Sequence, residues 1–313
     1  MYTLSIVIVN WNSGNQLIEC LKSIRKAKKS NFYLKKIIVV DNASTDHSLD
    51  NVEKINLPIE IIKNPENYGF AKACNIGAKH AEGDFILFLN PDMIVFEDTF
   101  VNLFNYIYKH DRPEIGIYGI QLLDDDGNIQ KTCARFPNLW NLIVRTVGLD
   151  KINPKIFKSY RMEDWSHKET KKIDHVIGAF FLVKRHLFEK LNGFDEKFFV
   201  YIEDLDFSKR AHNLGYKTVY ITEAKAYHKG GGTSEKVKGK RLFYNAQSRV
   251  IYVFKHFGFV KGLILMGFIY FVEPISRISF LTLKRNFNEI PELLKGYLYL
   301  YKNTLKIIKT DKK

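Results

Sequence analysis

Cysteine is scarce in this chain of 313 residues: there are three, Cys20, Cys74 and Cys133, and none sits in a Cys-x-x-Cys pair. That excludes a disulfide framework and a thiolate zinc site, and it fits a reducing compartment. A secretory leader pattern is also missing. Met1-Tyr2-Thr3 runs directly into the apolar stretch Leu4–Val9, with no basic segment and no small-residue cleavage site, so a cytosolic start is expected. Internal repeats and low-complexity tracts are absent. The uncharged run Gly262–Val272 has only 11 residues. At about 1.5 Å per residue it is too short for a hydrocarbon core of about 30 Å. Acidic charge is in short supply too: 34 Asp and Glu face 48 Lys and Arg, a net charge of +14. Such an excess points to a polyanionic neighbour, whether nucleic acid, a phosphorylated substrate or an anionic membrane. With 46% hydrophobic and 26% charged residues, global disorder and collagen-like architecture are excluded.

What is present reads as alternating strands and helices. Ser5–Val9 is a β-branched run suited to a strand buried on both faces. Leu17, Ile18, Leu21 and Ile24 follow with helical spacing. Strands over Lys36–Val40, Ile59–Lys63 and Phe85–Leu89 alternate with a helix over Phe70–His80, and a helix over Thr99–His110 precedes a strand at Ile115–Ile120. The pattern predicts an α/β fold built on a mainly parallel central sheet. Asp124–Asn128 reads as a hairpin tip, and Lys131–Thr170 as irregular. Ile173–Lys184 is rich in strand formers, and His186–Leu191 suits a short helix. A further helix headed by Glu203-Asp204-Leu205-Asp206 ends near Gly215, and Lys217–Ile221 is expected as the last short strand.

In parallel sheets ligands bind outside the carboxyl ends of the strands. Asn10–Asn12, Asp41–Asp46 and Asn90–Asp92 all fall at such ends, so one crevice can hold them. In Val39–Asp46 a strand ends in a carboxylate able to accept the imide N–H of a uracil or thymine ring. Asp46 is set to cap a following helix, and a turn with an N-cap would use the same residues. In Leu89-Asn90-Pro91-Asp92 a carboxylate after a buried strand suits Mg²⁺ or Mn²⁺ against a diphosphate, while Asn90, uncharged, suits a ribose hydroxyl. A strand-terminating turn is the alternative. The acids of Glu203-Asp204-Leu205-Asp206 repel one another unless a cation, a helix N-terminus or a proton stabilises them, so one of them can serve as general base. A solvated helix start would look alike. Tyr227-His228-Lys229 leads into Gly230-Gly231-Gly232, where a His can bind metal and backbone amides can face phosphates, or a linker can simply flex.

Taken in order, SIVIVNWN, VVDNASTD, Asn67–Asn75, LFLNPD, GAFFLVKR, NGFDEKFFVYIEDLDFSKRAHNLGYK and YHKGGGTS resemble the family-two inverting glycosyltransferases of GT-A fold, close to the bacterial rhamnosyltransferase-like group. The resemblance spans about Thr3 to Phe257. It implies that Asp41 contacts the nucleotide base, with Val9 and Asn10 lining the pocket. It implies that Asn67, Gly69, Phe70 and Asn75 shape the wall beside the nucleoside and sugar, and that Asn90 lies near the ribose. Asp92 matches the metal-binding acid and Asp204 the general base. Glu203 would assist acceptor binding or orient Asp204, and His228 would contact metal or diphosphate. Asn90 replaces the first acid of the family's Asp-x-Asp pattern. The implied cofactor is Mg²⁺ or Mn²⁺. The implied donor is a dTDP- or UDP-sugar, dTDP-rhamnose being favoured, and the acceptor a glycan or polyprenyl-linked sugar.

The resemblance divides the chain into a transferase domain over 1–256 (a nucleotide-binding half over 1–120 and an acceptor half over 121–256) and a basic, apolar helical extension over 257–313. Leu263, Ile264, Phe268, Tyr270 and Phe271 can form a face lying in a membrane interface, and the lysines between 284 and 313 add attraction to anionic lipid. Packing of that extension on the catalytic domain or on a second subunit is the alternative. The expectation is a protein peripheral to the inner face of the cell membrane. A nucleotidyltransferase would open with a Gly-rich, basic phosphate loop, where this chain has Asn10-Trp11-Asn12-Ser13-Gly14. Nucleic acid is not an expected partner, because the basic residues gather after Lys225 and no nucleic-acid-binding motif is present. A non-catalytic scaffold of a polysaccharide assembly is the remaining alternative, opposed by the presence of both Asp92 and Asp204.

Overall fold

A computed structural model describes residues 1–230 and 237–310. Its backbone contacts gather into two compact units. The first comprises Met1–Arg135, Trp165–Glu196 and the chain from Glu203 to the end of the last strand. The second comprises Phe136–Asp164, Lys197–Ile202 and the C-terminal helices.

The first unit holds a nine-stranded sheet. Its strands and helices are β1 (Tyr2–Asn10), α1 (Gln16–Lys26), β2 (Phe32–Asp41), β3 (Ile59–Lys63), α2 (Phe70–Ala78), β4 (Phe85–Leu89), β5 (Met93–Val95), α3 (Thr99–His110) and β6 (Ile115–Leu123). β7 (Cys133–Ala134) then leads out of this unit into α4 (Leu139–Val147) and α5 (Leu149–Ile152). The chain returns through β8 (Lys171–Ile173), β9 (His175–Val176), β10 (Phe180–Lys184), α6 (Arg185–Lys190), α7 (Glu203–Asn213) and β11 (Lys217–His228). The strand order is β3-β2-β1-β4-β10-β6-β11-β5, with β8 beside β11. β3, β2, β1 and β4 are mutually parallel, as are β6 and β11, whereas β10 runs antiparallel between β4 and β6. β1 and β4 are buried along almost their whole length because helices cover both faces of the sheet, which is why they read as unbroken apolar runs. Phe32 stacks on Phe104 of α3 at 4.7 Å, and Tyr2 meets Phe85 edge-on at 5.2 Å.

Three expectations about elements need correction. The segment Lys131–Thr170 is not irregular throughout: it contains α4, opened by a capping box in which the side chains of Asn138 and Asn141 each accept the other's backbone N–H. The last strand does not stop at Ile221. It slips register between Ile221 and Lys225 and continues to His228, paired with β5, a strand the sequence did not announce. No α-helix follows Asp46. Its carboxylate instead accepts the Gly14 N–H at 2.8 Å and the Ser48 hydroxyl, tying two strand-end loops together.

The second unit is helical: α4 and α5 are joined by α8 (Lys238–Phe257), α9 (Phe259–Gly267), α10 (Glu273–Leu283), α11 (Ile290–Lys302) and α12 (Thr304–Thr310). The contacts thus draw the division elsewhere than 256/257, because α8 packs with α9 and α11. The apolar run is also longer than it looked. α9, a π-turn over Phe268–Val272 and α10 form one helix of 25 residues, Phe259–Leu283, long and apolar enough to cross a membrane by length and composition. Pro274 does not break it, since it falls in the first turn of α10 directly after the π-turn, where a missing N–H costs little. Only 28% of the helix's apolar window is buried, and the buried positions include Leu265, Ile269 and Tyr270. Glu273 is 1% exposed and accepts two hydrogen bonds from the guanidinium of Arg249 on α8, at 2.8 and 3.0 Å.

Candidate active site

Parallel register sets the first group. Asn10 and Asp41 end β1 and β2 as direct partners. Asp41 is buried, its Oδ1 accepting from Asn10 Nδ2 at 2.7 Å and its Oδ2 from the Ser44 N–H at 3.1 Å. Asn10 is fully buried and its amide is spent: it also donates to Ser44 and Ser48 Oγ and accepts from Ser13 Oγ. Asn10 therefore braces Asp41, and Val9 lies buried behind it. The wall segment joins the same group through Asn42, whose Nδ2 donates to the Gly69 carbonyl at 3.0 Å. Gly69 takes φ +82° to start α2 at Phe70, and its N–H donates to Asn67 Oδ1 at 2.9 Å. Asn75 turns away to a different task. Its side chain donates to the Phe194 carbonyl and accepts the Phe194 N–H, at 2.8 and 2.9 Å, clamping the loop before α7. A Cβ at Gly193, φ +72°, would collide with that amide.

The second group joins the end of β4 to the end of β11. The pairing of Met93 with His228 brings the imidazole beside Asp92, with Nε2 3.6 Å from Oδ2. His228 Nδ1 lies 2.8 Å from Gln130 Oε1, a carbonyl oxygen that can only accept. Nδ1 thus carries the hydrogen and Nε2 presents its lone pair toward Asp92. Burial holds His228 below the usual imidazole range, against the opposing pull of Asp92. Among the described residues Asp92 Oδ1 is buried with no hydrogen-bond partner. A carboxylate oxygen left open and an imidazole nitrogen fixed as an acceptor are a donor set that fits a divalent cation. Among the described residues no cluster of three or more His, Cys, Asp or Glu is placed to hold a metal. A cation here would draw its remaining ligands from phosphate and water. Gly231–Ser234 of the expected phosphate-facing loop lie outside the described residues.

The third group surrounds the head of α7. Asn90 N–H donates to the Ala179 carbonyl at 3.0 Å, which sets the start of β10 beside the end of β4. The preceding Gly178 N–H donates to Asp204 Oδ2 at 2.6 Å, and the Leu205 N–H donates to Oδ1 at 2.7 Å. A Cβ at Gly178 would stand 3.2 Å from Oδ2, so the carboxylate would have to give by a few tenths of an ångström. Asp204 thereby accepts two backbone N–H bonds at a helix N-terminus and is partly open to solvent. Its neighbour Glu203 is the opposite: buried, with Oε2 unpartnered, and pushed well above the usual carboxylate range by burial and then by the charge of Asp204. Two adjacent acids thus sit in different surroundings, one buried without a partner for Oε2 among the described residues and one accepting two backbone N–H bonds. The two residues before them, Tyr201 and Ile202, hold φ of +70° and +71°, a strained geometry for a β-branched side chain.

Sequence reasoning missed Gln130, Asn42 and Gly178's backbone contact, as well as His175, whose Nε2 lies 3.7 Å from Asp204 Oδ2. No local spacing marks any of them, because each partner lies 26 or more residues away.

The strand-end group at Asp41, the Asp92–His228 pair and the helix-held Asp204 all lie in the first unit, whose mixed α/β fold is of GT-A type. The chain belongs to glycosyl transferase family 2, whose model matches residues 5–191. It is 23% identical over 263 residues to an N-acetylglucosaminyl-diphospho-decaprenol L-rhamnosyltransferase of Mycobacterium tuberculosis, covering 80% of this chain and 83% of that one. It is 30% identical over 171 residues to the rhamnosyltransferase WbbL of Escherichia coli, covering 51% and 61%. In fold it resembles Staphylococcus aureus TarS 1–349 in complex with UDP-GlcNAc, with TM-score 0.53, 20% identity and 94% of this chain and 79% of that one covered. It also resembles a Pyrobaculum calidifontis mannosyltransferase in complex with GDP-Man and Mn²⁺, with TM-score 0.54, 17% identity and 97% and 86% covered. Family membership sets aside the nucleotidyltransferase alternative.

Proposed function

We propose that this chain moves a sugar, rhamnose by preference, from a dTDP- or UDP-linked donor to a glycan or polyprenyl-linked acceptor, with inversion, in cell-surface polysaccharide synthesis. The observation that carries the reading is the pair at the head of α7: Glu203, buried and pushed well above the usual carboxylate range, beside Asp204, which accepts two backbone N–H bonds and is partly open to solvent. Asp204 removes the proton of the acceptor hydroxyl as that oxygen bonds the anomeric carbon. The bond from that carbon to the diphosphate breaks, and its electron pair leaves with the diphosphate. One base suffices, since no covalent intermediate forms. Asp41, braced by Asn10, keeps free lone pairs for the imide N–H of the base. Asp92 and His228 are the residues that would hold a divalent cation, with Mg²⁺ and Mn²⁺ both suited to that site. When bound, such an ion neutralises charge developing on the diphosphate. The names of the mycobacterial and Escherichia coli relatives support the rhamnose and lipid-linked assignments.

The test is a thermal-shift panel of dTDP, UDP, GDP and CDP, each with and without Mn²⁺, followed by transfer assays on Asp204→Asn. A dTDP or UDP shift that grows with Mn²⁺, and a variant that binds donor without transferring, is expected. Near-normal turnover by Asp204→Asn would remove the base assignment.

The same reading places the protein on the inner face of the membrane. Phe259, Val260, Leu263, Ile264, Phe271 and Ile275 are exposed along a single helix, and Lys261, Lys284 and Arg285 stand on or beside it. An apolar face among basic residues suits anionic lipid. Flotation with vesicles containing anionic phospholipid should carry the full chain, and Leu263→Glu with Phe271→Glu should release it. Equal flotation of both would refute this.

A further inference from the structure

His175 shares the head of α7 with Asp204, yet the transfer step above gives it no part. It is buried on β9, and its Nδ1 lies 3.2 Å from Ser208 Oγ. Ser208 has one hydroxyl proton and donates it to the Asp204 carbonyl, one turn back, at 2.8 Å. Toward the imidazole its oxygen therefore accepts, so Nδ1 carries the hydrogen. Burial keeps the ring neutral against the pull of Asp204 and Asp174. The other groups around it do not compete for Nε2. Ala134 is its partner across β7, the neighbouring Cys133 thiol is pushed up by burial, and Thr218 of β11 donates to the Asp174 carbonyl. Nε2 is thus a bare lone pair, facing Asp204 Oδ2 at 3.7 Å.

Two acceptors at that distance have no proton to share. The relation changes when Asp204 takes one. We propose that His175 is a positioning residue for the general base: its Nε2 accepts a hydrogen bond from Asp204 Oδ2 once the acceptor proton has arrived there. The step balances without any further reactant. The acceptor O–H bond breaks as that oxygen bonds the anomeric carbon, the proton comes to rest on Oδ2, and the new O–H turns from the glycosidic oxygen to Nε2 while the diphosphate leaves with the electron pair of its broken bond. Closing from 3.7 Å to an ordinary O–H···N length of about 2.8 Å takes a shift of about 1 Å. The bond is absent in the ground state and grows with proton transfer, so it contributes to turnover rather than to donor binding.

The inference rests on Asp204 being the base. The experiment measures release of nucleoside diphosphate against pH, using whichever of dTDP-rhamnose or UDP-N-acetylglucosamine the wild-type chain turns over in the presence of a polyprenyl-diphosphate sugar. His175→Phe keeps a ring and loses the acceptor. It should lower kcat about tenfold, leave the donor KM within about twofold, and move the acidic limb of the kcat profile to lower pH. His175→Gln, whose amide oxygen can accept, should recover part of the loss. Ser208→Ala leaves the imidazole in place but frees its tautomer, so that Nε2–H can donate to the carboxylate; the limb should move in the same direction. Ser208→Ala also carries the test if the Phe variant does not fold. An unchanged plateau and limb in Ser208→Ala, and in His175→Phe where it folds, overturns the proposal. Asp204→Asn, run alongside, separates the two ideas. If it is inactive while the others match wild type, only the role of His175 falls. If it turns over, the base assignment falls as well.

Discussion

Replacing Glu203 by Gln tests the split acid pair directly. In the folded chain Glu203 is buried and held protonated, chiefly by burial and secondarily by Asp204. In the unfolded chain it ionises in the ordinary carboxylate range. The folded state then binds more protons than the unfolded one, so this group's contribution is full below the unfolded pKa and is lost as pH rises through the folded one. Over that window stability falls by about 1.4 kcal/mol per pH unit. Gln has nearly the same shape and no proton to lose. The stability of Glu203→Gln relative to wild type should therefore climb with pH. His175 and His228, buried and neutral, titrate in both proteins and cancel in the difference. Urea denaturation of the two chains at pH 5, 6, 7 and 8 gives the readout, and transfer by the variant should stay within about tenfold of wild type because an amide stands in for a neutral acid. Parallel stability curves, with no widening between pH 5 and 7, would refute the assignment of Glu203 as the neutral member.

Three further perturbations follow from the geometry. Gln130→Leu removes the carbonyl that fixes the His228 tautomer, and the Mn²⁺ concentration needed to enhance a dTDP or UDP thermal shift should rise about 10- to 100-fold. An unchanged Mn²⁺ midpoint would separate Gln130 from the cation site. Gly178→Ala sets a methyl 3.2 Å from Asp204 Oδ2 and displaces the carboxylate, so kcat should fall about 100-fold while the melting temperature shifts only slightly. Glu273→Gln strands the buried guanidinium of Arg249, whose Nε already lacks a partner, and should cost about 3–5 kcal/mol in denaturation. Arg249→Met with Glu273→Leu should recover part of that loss, because the buried Arg249 charge leaves with its partner, while Arg277, which also pairs with Glu273 at 2.7 Å, stays open to solvent.

Strand ends were the legible part of the site. Asp41 and Asp92 each follow a run of buried apolar residues, and a parallel sheet must deliver such residues to one edge. The acids of α7 were legible for a different reason: like charges so close require a neutralising device, and the helix N-terminus with a protonated Glu203 supplies it. The helix α4 escaped notice because its capping pair is Asn with Asn rather than Ser or Thr with Glu, inside a segment of mixed charge. The extension of β11 to His228 escaped because a register slip after Ile221 breaks the alternation that marks a strand. The 25-residue helix was split on paper by Glu273 and Pro274, one of which is neutralised by Arg249 while the other sits where a proline is tolerated.

The illegible part has one physical origin, the antiparallel strand β10. Inserted between β4 and β6, it starts where β4 ends, so its leading residues Gly178 and Ala179 arrive beside Asn90. Gly178 then donates to Asp204, and β9, just upstream, presents His175 to the same carboxylate. A parallel strand in that place would have carried its leading residues to the opposite edge of the sheet, away from the nucleotide crevice. Asp204 thus comes beside the end of β4 through backbone polarity rather than through any side-chain pattern, and the two groups next to its Oδ2, a backbone N–H and an imidazole nitrogen, leave no periodic trace. This is why Asp204 was readable as an acid in a cluster while the partners that hold and tune it were not.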